Sequence, residues 1–274
     1  MIIEHGRTLR SWRQAGRPIG AMAAGLLIAA LGCGAGQAAP EPGGYLGDLL
    51  LPRALDLTPA PPAPDSAQAR ADLDVFAKSR SLEGGPRWRL AQRDVTDEPL
   101  TTFACALGVA LKPGEAPAVE RLLDRLGDDR GPLVDAGKFH YRALRPYQRV
   151  RGDICEAKTA HLAGNPDFPS GHAAGGWSTA LVLAELAPDR APEILIRGRA
   201  FMESRVACGS HTLSAVNAAG VLASALVAAE HGSAAFRSDA DAARRELQTV
   251  RLTAAKPDPA QCRAEAQAIA AWRP

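Results

Sequence analysis

Apolar residues recur at helical spacing in one segment after another from Asp65 to the end of the chain. Val119, Leu122 and Leu123, for example, fall on one helix face with Leu126. Runs of alternating β-branched residues, which are typical of strands, are absent from the sequence. The pattern predicts a single all-α domain, with helices over 65–81, 96–111, 118–127, 131–144, 171–186, 190–206, 211–230, 236–250 and 258–272.

The N-terminus has the pattern of a secretory signal peptide. Four arginines between positions 7 and 17 precede an apolar run over 19–32, and small residues follow. We predict cleavage after Ala38, and place second a lipoprotein anchored at Cys33, because the residues before that cysteine form a poor lipobox. The run is too short and too rich in glycine to predict a permanent membrane span. Export in a Gram-negative host implies a periplasmic location.

The charge balance does not indicate a nucleic-acid partner. The chain has 32 basic and 30 acidic residues, and the predicted signal peptide carries four of the basic residues and one of the acidic ones. The mature chain is therefore close to neutral, so the basic excess belongs to targeting. A composition with 46% hydrophobic and 23% charged residues is that of an ordinary globular protein.

A proline-rich segment separates the signal peptide from the helical domain. Residues 40–64 contain seven prolines, which are too many for a helix or a central strand. We expect an N-terminal arm over 39–64 that either lies along the domain or is disordered. The predicted organisation is therefore a signal peptide over 1–38, this arm, and an all-α domain over 65–274.

Four cysteines remain after removal of the signal peptide: Cys105, Cys155, Cys208 and Cys262. In an oxidising compartment this number is compatible with one or two disulfides, and three pairings of the four are open. Buried free thiols are nearly as good an interpretation for any single cysteine. The spacing is not that of a zinc site.

The stretch GKFHYRALRP places two cations seven positions apart, at Lys138 and Arg145. Seven residues make about two helical turns, so we expect both side chains on one helix face, with Pro146 ending the helix. Two cations on one face are in most proteins simply solvated. This stretch alone therefore does not predict a site.

The stretch NPDFPSGHAAGGW leads directly into an apolar helical run. Ser170 occupies an N-cap position, and Gly171 allows an anion to approach the backbone closely. The unpaired N–H groups of a helix N-terminus suit a phosphate, and His172 in the first turn would face it. A capped helix with an exposed histidine explains the same residues equally well.

The stretch SRVACGSH contains an arginine that can bind phosphate through two N–H groups, Arg205. His211 follows a Gly-Ser turn at the start of the next helical run, from where it can also point into a pocket. A surface arginine and a helix-capping histidine are the alternative. Together, the three stretches predict an anion site with an acid and a nucleophile.

These three motifs resemble the type 2 phosphatidic acid phosphatase superfamily, and within it the bacterial class A non-specific acid phosphatases. The family pattern K-x6-R-P, P-S-G-H, S-R-x5-H-x3-D is matched in order from Lys138 to His211, and the likeness covers most of the mature chain. It implies a helical bundle of the acid phosphatase/vanadium haloperoxidase type that hydrolyses small phosphomonoesters. The chain is short for the haloperoxidase branch.

The resemblance also implies the role of each residue. His211 would attack phosphorus to give a phosphohistidine, while His172 protonates the leaving alcohol. The phosphoryl oxygens would be held by cations and by the start of a helix, namely Lys138, Arg145, Ser170, Gly171 and Arg205. Neither a metal nor another cofactor is expected. The sequence leaves the oligomeric state open, with a homo-oligomer among the options.

The chain departs from the pattern at its last position, where Ala215 replaces aspartate. A carboxylate one turn after His211 would fix its tautomer and stabilise the cation formed on attack. Asp153 or Asp167 could supply that carboxylate from elsewhere. Two hypotheses follow, namely an active phosphatase, slowed or retuned by Ala215, and a phosphate-binding pseudoenzyme. A membrane lipid phosphatase is disfavoured, because the apolar run 213–229 contains polar residues and suits a buried core helix.

Overall fold

A computed structural model describes residues 43–96 and 98–274. The predicted signal peptide, the lipoprotein alternative at Cys33 and the first residues of the arm lie outside this part of the chain. The described residues form twelve α-helices and no strand, which confirms the all-α prediction. The helices are α1 (Ala67–Ser79), α2 (Pro86–Thr96), α3 (Pro99–Thr102), α4 (Ala104–Leu107), α5 (Pro117–Tyr141), α6 (Pro146–Arg149), α7 (Ala160–Gly164), α8 (Gly171–Leu186), α9 (Ala191–Cys208), α10 (Leu213–Glu230), α11 (Ala234–Thr253) and α12 (Pro259–Ala270).

The core is built around α8, which packs against α9 and α10, while α5 and α11 pack together beside them. Small residues allow the close approach of these helices. A side chain at Gly198 of α9 would collide with the Cβ of Ala180 on α8, at 2.2 Å. Leucine, valine and alanine from α5, α8, α10 and α11 fill the space between them. The outcome is a helical bundle in which α8, the helix of the PSGH motif, is central.

Most of the predicted helices are confirmed, but α5 differs from the prediction. Residues predicted as two segments, 118–127 and 131–144, form one helix that continues through Pro132 and ends at Tyr141. Proline normally interrupts a helix. Leu133 and Val134 are buried in the core directly after it, and this packing holds the helix together.

Helix α2 was missing from the predictions, and the segment predicted over 96–111 is two short helices, α3 and α4. The buried face of α2 includes Arg87 and Asp94 as well as Trp88 and Leu90. Because charged residues lie among the apolar ones on that face, α2 is a polar helix overall, with few apolar residues to mark it. Buried polar side chains thus explain why the sequence pattern failed here.

The described part of the arm lies on the helices. The backbone N–H groups of Tyr45 and Leu46 donate to the carboxylate of Asp129 on α5, at 2.5 Å and 3.2 Å. Further along, Leu51–Asp56 forms a 3₁₀ turn, and Arg149 donates to the carbonyl of Pro64 at 3.3 Å. The boundaries predicted for signal peptide, arm and domain stay predictions.

All four cysteines of the described chain form disulfides, Cys105–Cys262 and Cys155–Cys208. Of the three pairings left open by the sequence, this is the one adopted. Cys155–Cys208 lies beside the SRVACGSH motif, whereas Cys105–Cys262 joins α4 to α12.

Helix α10 is long and apolar enough to cross a membrane by length and composition alone. Half of that stretch is buried inside the protein, where Val216, Ala219 and Leu222 belong to the main core. It therefore packs as a core helix of the protein, which is what we expected because polar residues interrupt its apolar run.

Candidate active site

Three chain segments that flank helix ends meet at one cavity of about 560 Å³. They are the end of α5 with the loop to α6, the loop that leads into α8, and the turn between α9 and α10. Six of the seven predicted site residues line this cavity, namely Lys138, Arg145, Gly171, His172, Arg205 and His211. We call it the cationic cavity.

Lys138 and Arg145 reach the cavity by a different route from the one predicted. Helix α5 ends at Tyr141, and Arg142 takes a left-handed conformation with φ of 47°. Arg145 is the extended N-cap residue of α6, so the two cations do not share a helix face, and Pro146 begins a helix rather than ending one. They meet because the loop folds back.

The loop before α8 holds both cations in place. The Nζ of Lys138 donates to the side-chain oxygen of Asn165 at 2.6 Å and to the carbonyl of Pro166. The Nε of Arg145 donates to the carbonyl of Asn165 at 2.7 Å. Burial, and then the charge of Arg145, lowers the pKa of Lys138 to about 8, so its ammonium is charged in acid and neutral solution.

Ser170 is the N-cap of α8, as predicted, and its Oγ accepts from the N–H of Ala173 at 3.4 Å. It is fully buried and is not part of the cavity lining. Gly171 and His172 follow in the first turn and do line the cavity. Desolvation by the surrounding walls, and then the charge of Arg205, lowers the pKa of His172 below its ordinary value.

Arg205 is only 1% exposed, and its Nε and Nη1 have no hydrogen-bond partner among the described residues. The preceding Ser204 does not face the cavity. Its Oγ donates to Asp94 of α2 at 2.5 Å and accepts from Arg87 at 2.8 Å. Ser204 therefore anchors α9, and the next residue carries unsatisfied donors into the cavity, where an anion would satisfy them.

His211 lies in the turn just before Thr212, the N-cap of α10, rather than inside the helix. Its Nε2 is 3.0 Å from Nη1 of Arg145. Since a guanidinium only donates, Nε2 is the acceptor and the ring proton is on Nδ1. Burial, and then the charges of Arg145 and Lys138, holds the pKa of His211 well below its ordinary value. The imidazole is thus neutral, with its lone pair on Nε2.

The carboxylate that contacts His211 belongs to Asp167, in the loop before α8. Its Oδ1 is 2.9 Å from Nδ1 of His211, and its backbone carbonyl is 2.7 Å from the same nitrogen. The carboxylate also accepts from the N–H of Thr212 at 3.2 Å and from its hydroxyl at 2.6 Å. Asp153, the other candidate, is a surface residue with a side chain 77% exposed and paired with Lys158.

Two effects oppose each other at Asp167. Burial raises the pKa of its carboxyl to about 6, while the donors of Thr212 and the charges of Arg145 and Lys138 limit the rise. Ala215 is completely buried against Phe168. The carboxylate thus comes from the PSGH loop, and the site of the motif aspartate is filled by an apolar contact.

Sequence reasoning missed Glu156, which also lines the cavity. Its Oε1 accepts from Nη2 of Arg205 and from the hydroxyl of Ser210. Although burial acts to raise it, the pKa of Glu156 is held below its ordinary value by Arg205 and Ser210. The only available signal was its place directly after Cys155, which the disulfide brings next to Cys208.

Among residues 43–96 and 98–274, no group of three His, Cys, Asp or Glu side chains is arranged to hold a metal ion. The expectation of a reaction without metal or other cofactor stays a prediction. Positive charge in the cavity comes from Lys138, Arg145 and Arg205.

Comparison with known proteins identifies the family of the chain. The family model of the PAP2 superfamily matches residues 131–237, a range that includes all three motifs. The chain is 38% identical over 218 residues to an acid phosphatase of Zymomonas mobilis, covering 78% of this chain and 82% of the relative. It is 33% identical to a non-specific acid phosphatase of Providencia stuartii, over 70% of this chain and 80% of the relative. A non-specific acid phosphatase of Salmonella typhimurium is 33% identical over 58% of this chain and 66% of the relative. The chain therefore belongs to the PAP2 superfamily and, within it, to the bacterial acid phosphatases.

Proposed function

We propose that the chain hydrolyses phosphomonoesters in two steps through a phosphohistidine on His211, with Asp167 in the role of the missing motif aspartate. The observation that carries this is the 2.9 Å contact between Oδ1 of Asp167 and Nδ1 of His211. It gives His211 a carboxylate on one nitrogen and leaves a lone pair on the other.

In the first step the phosphoryl group lies against Arg205, Lys138, Arg145 and the N–H groups at the start of α8. Nε2 of His211 forms a bond to phosphorus as the bond to the ester oxygen breaks, and His172 gives a proton to the departing alcohol. Arg145 donates to Nε2 in the free protein, so it must turn its N–H toward a phosphoryl oxygen when substrate binds. The cation formed on His211 is then stabilised by Asp167.

In the second step water attacks the phosphohistidine, and His172 accepts the proton of that water. The phosphorus–nitrogen bond breaks, inorganic phosphate leaves and His211 is neutral again. The bound phosphoryl group carries negative charge close to His172, which raises the low pKa of this histidine and favours its acid form. Acid solution favours the same form, which fits an acid phosphatase.

The pseudoenzyme hypothesis was based only on Ala215, and Asp167 removes that reason for preferring it. We place the enzyme outside the cytosol, in the periplasm of a Gram-negative host, because of the predicted signal peptide over 1–38 and the two disulfides. Its substrates are small phosphomonoesters rather than nucleic acids, and it needs no membrane span.

The test is hydrolysis of p-nitrophenyl phosphate from acid to neutral pH, by the native protein and by His211→Ala. We expect turnover by the native protein, none by the variant, and a covalent phosphate adduct, stable in base and labile in acid, when the native protein is quenched during turnover. A native protein that binds phosphate calorimetrically but hydrolyses no ester would instead establish the pseudoenzyme.

A further inference from the structure

A second cavity, of about 710 Å³, adjoins the cationic cavity and shares Gly171 and His172 with it. It runs between α5 and α8, from the first turn of α8 to Thr179 two turns further on. We call it the acidic groove. Because His172 lines both spaces, the groove lies within reach of the alcohol portion of an ester whose phosphoryl group is in the cationic cavity.

The wall of the groove is strongly negative. Four exposed carboxylates line it, and none of them forms an ion pair within the described residues: Glu98, Asp124, Asp128 and Asp135. Arg130 is the one lysine or arginine of the described lining, and its Nη1 donates to Ser178 at 3.3 Å. The groove therefore has net negative charge next to a cavity that is positive.

The carboxylates are spread out rather than gathered on one point. Asp124 and Asp128 are one turn apart on α5, and Asp135 is about 10 Å further along the helix axis. No three acidic groups in the described chain are close enough to hold a metal ion. Dispersed charge over this length suits an organic cation, which is large and weakly hydrated, better than a metal ion.

The groove also contains an unsatisfied polar group. Thr179 is 5% exposed and lines the groove, and its hydroxyl has no hydrogen-bond partner among the described residues. Because the residue is otherwise enclosed, this unpartnered hydroxyl is open only toward the groove, where a polar ligand atom can bind it. Thr179 thus indicates, independently of the carboxylates, that the groove receives a polar ligand.

Glycine makes room for such a ligand. A Cβ added at Gly131 of α5 would meet no atom within 4 Å, so the groove is open at that point. Glycine is unfavourable inside a helix by about 1 kcal/mol relative to alanine. Helix α5 therefore keeps open space here at a cost in helix stability.

Accepting the function proposed above, we propose that the acidic groove is the leaving-group site and that it favours phosphomonoesters whose alcohol portion carries a positive charge. The matching substrate class is zwitterionic, with phosphate at one end and a substituted ammonium at the other. Its two charges face the cationic cavity and the acidic groove, respectively.

The test compares two esters of the same shape, phosphocholine and 3,3-dimethylbutyl phosphate, in which carbon replaces the charged nitrogen. Exposed ion pairs are individually weak, so we expect kcat/KM to favour phosphocholine by about 3- to 10-fold at low salt. The preference should fall as salt is added. Equal kcat/KM for the two esters, or a preference for the neutral one, would overturn the proposal.

Variants of the groove residues test which side chains cause the preference for phosphocholine. Asp124→Asn with Asp128→Asn should bring the ratio of the two esters close to one, whereas Asp74→Asn, the same change at an exposed position of α1, should leave the ratio as it is. Gly131→Leu should fill the open space and reduce kcat/KM for both esters relative to methyl phosphate. A ratio unchanged in the double variant would show that the carboxylates do not select the charge.

Failure of the groove and failure of the proposed function give different results. If methyl phosphate and p-nitrophenyl phosphate are not hydrolysed, the proposed function is wrong. The groove is then tested by calorimetry on the native chain, where phosphocholine should bind about 3- to 10-fold more tightly than its neutral counterpart. Equal binding would overturn the groove proposal as well.

Discussion

Asp167 and Glu230 are both buried carboxyl groups with raised pKa values, but their surroundings differ. Asp167 receives two hydrogen bonds from Thr212 and lies beside His211, and its pKa is raised only to about 6. Glu230 receives no hydrogen bond from a donor in the described chain, and an acidic side chain, Asp129, is its close polar neighbour. Burial, and then the negative charge of Asp129, raises its pKa to about 9.

The two carboxyl groups differ in their ionisation and therefore in what they contribute. Donors and cations keep Asp167 close to the ionised form near neutral pH, where it can stabilise a cation on His211. Glu230 stays protonated under the same conditions and contributes as a neutral group in the packing. Glu156 extends the series, since Arg205 and Ser210 hold its pKa below the ordinary value. The hydrogen-bond donors and charged groups around each carboxyl group, more than its burial, determine whether it is ionised.

The largest effect is expected from Asp167→Asn. Asparagine keeps the volume, and the backbone carbonyl of Asp167 still fixes the proton on Nδ1 of His211, so the loss is that of the charge and of the oxygen that accepts from the Thr212 hydroxyl. We expect kcat to fall about 100- to 1,000-fold, less than the roughly 10⁴-fold loss that follows from a wrong tautomer. The value of kcat for each protein is measured in stopped assays with p-nitrophenyl phosphate.

Glu230→Gln is the matched control, because it also neutralises a buried acid without changing its size, and it should leave kcat within about twofold. Ala215→Asp sharpens the result. In the Asp167→Asn background it should recover about tenfold or more of the lost kcat, because it returns a carboxylate one turn after His211. The absence of recovery, with the fold intact by circular dichroism, would mean that Asp167 does not act in place of the motif residue.

A smaller effect is expected on stability, and it concerns Glu230. Because its pKa is higher in the folded than in the unfolded chain, the folded state binds more protons between about pH 4.5 and 9, and stability falls as pH rises through that window. From pH 7 to pH 10 the loss attributable to Glu230 is about 3 kcal/mol. The measurement is the free energy of chemical unfolding of the native protein and of Glu230→Gln at both pH values, and the difference between the two proteins gives this loss.

Other groups titrate in the same window, and Arg125, Arg130 and Asp129 face Glu230. The difference between the two proteins isolates the contribution of Glu230, since these groups are common to both. Identical pH dependence of unfolding in native protein and variant would contradict a protonated Glu230.

The smallest effect is expected from Glu156→Gln. In the free protein the carboxylate of Glu156 holds Arg205 and repels any anion that enters the cavity. Removing its charge should tighten competitive inhibition by inorganic phosphate about 3- to 10-fold. Weaker inhibition in the variant would show that Glu156 instead positions Arg205 for substrate.

The helices with continuous apolar patterns, such as α8 and α10, were predictable from the sequence, and so were six residues of the cavity lining. Helix α2 was not, because it contains few apolar residues and its buried face includes Arg87 and Asp94. The route of Arg145 was missed because a left-handed Arg142 ends α5 early. Asp167 could be named only as one of two candidates, since its contact with His211 spans 44 residues of chain.

The disulfide Cys155–Cys208 fastens the loop that carries Glu156 to the end of α9, between Arg205 and His211. Without it, that junction depends on a backbone hydrogen bond from Cys155 to Cys208 and on Arg80, which bridges the carbonyls of Asp153 and Cys208. Thiols stay reduced in the bacterial cytosol and are oxidised beyond it. In the exported enzyme that we propose, this covalent link between the Glu156 loop and the end of α9 therefore forms only once the chain has left the cytosol.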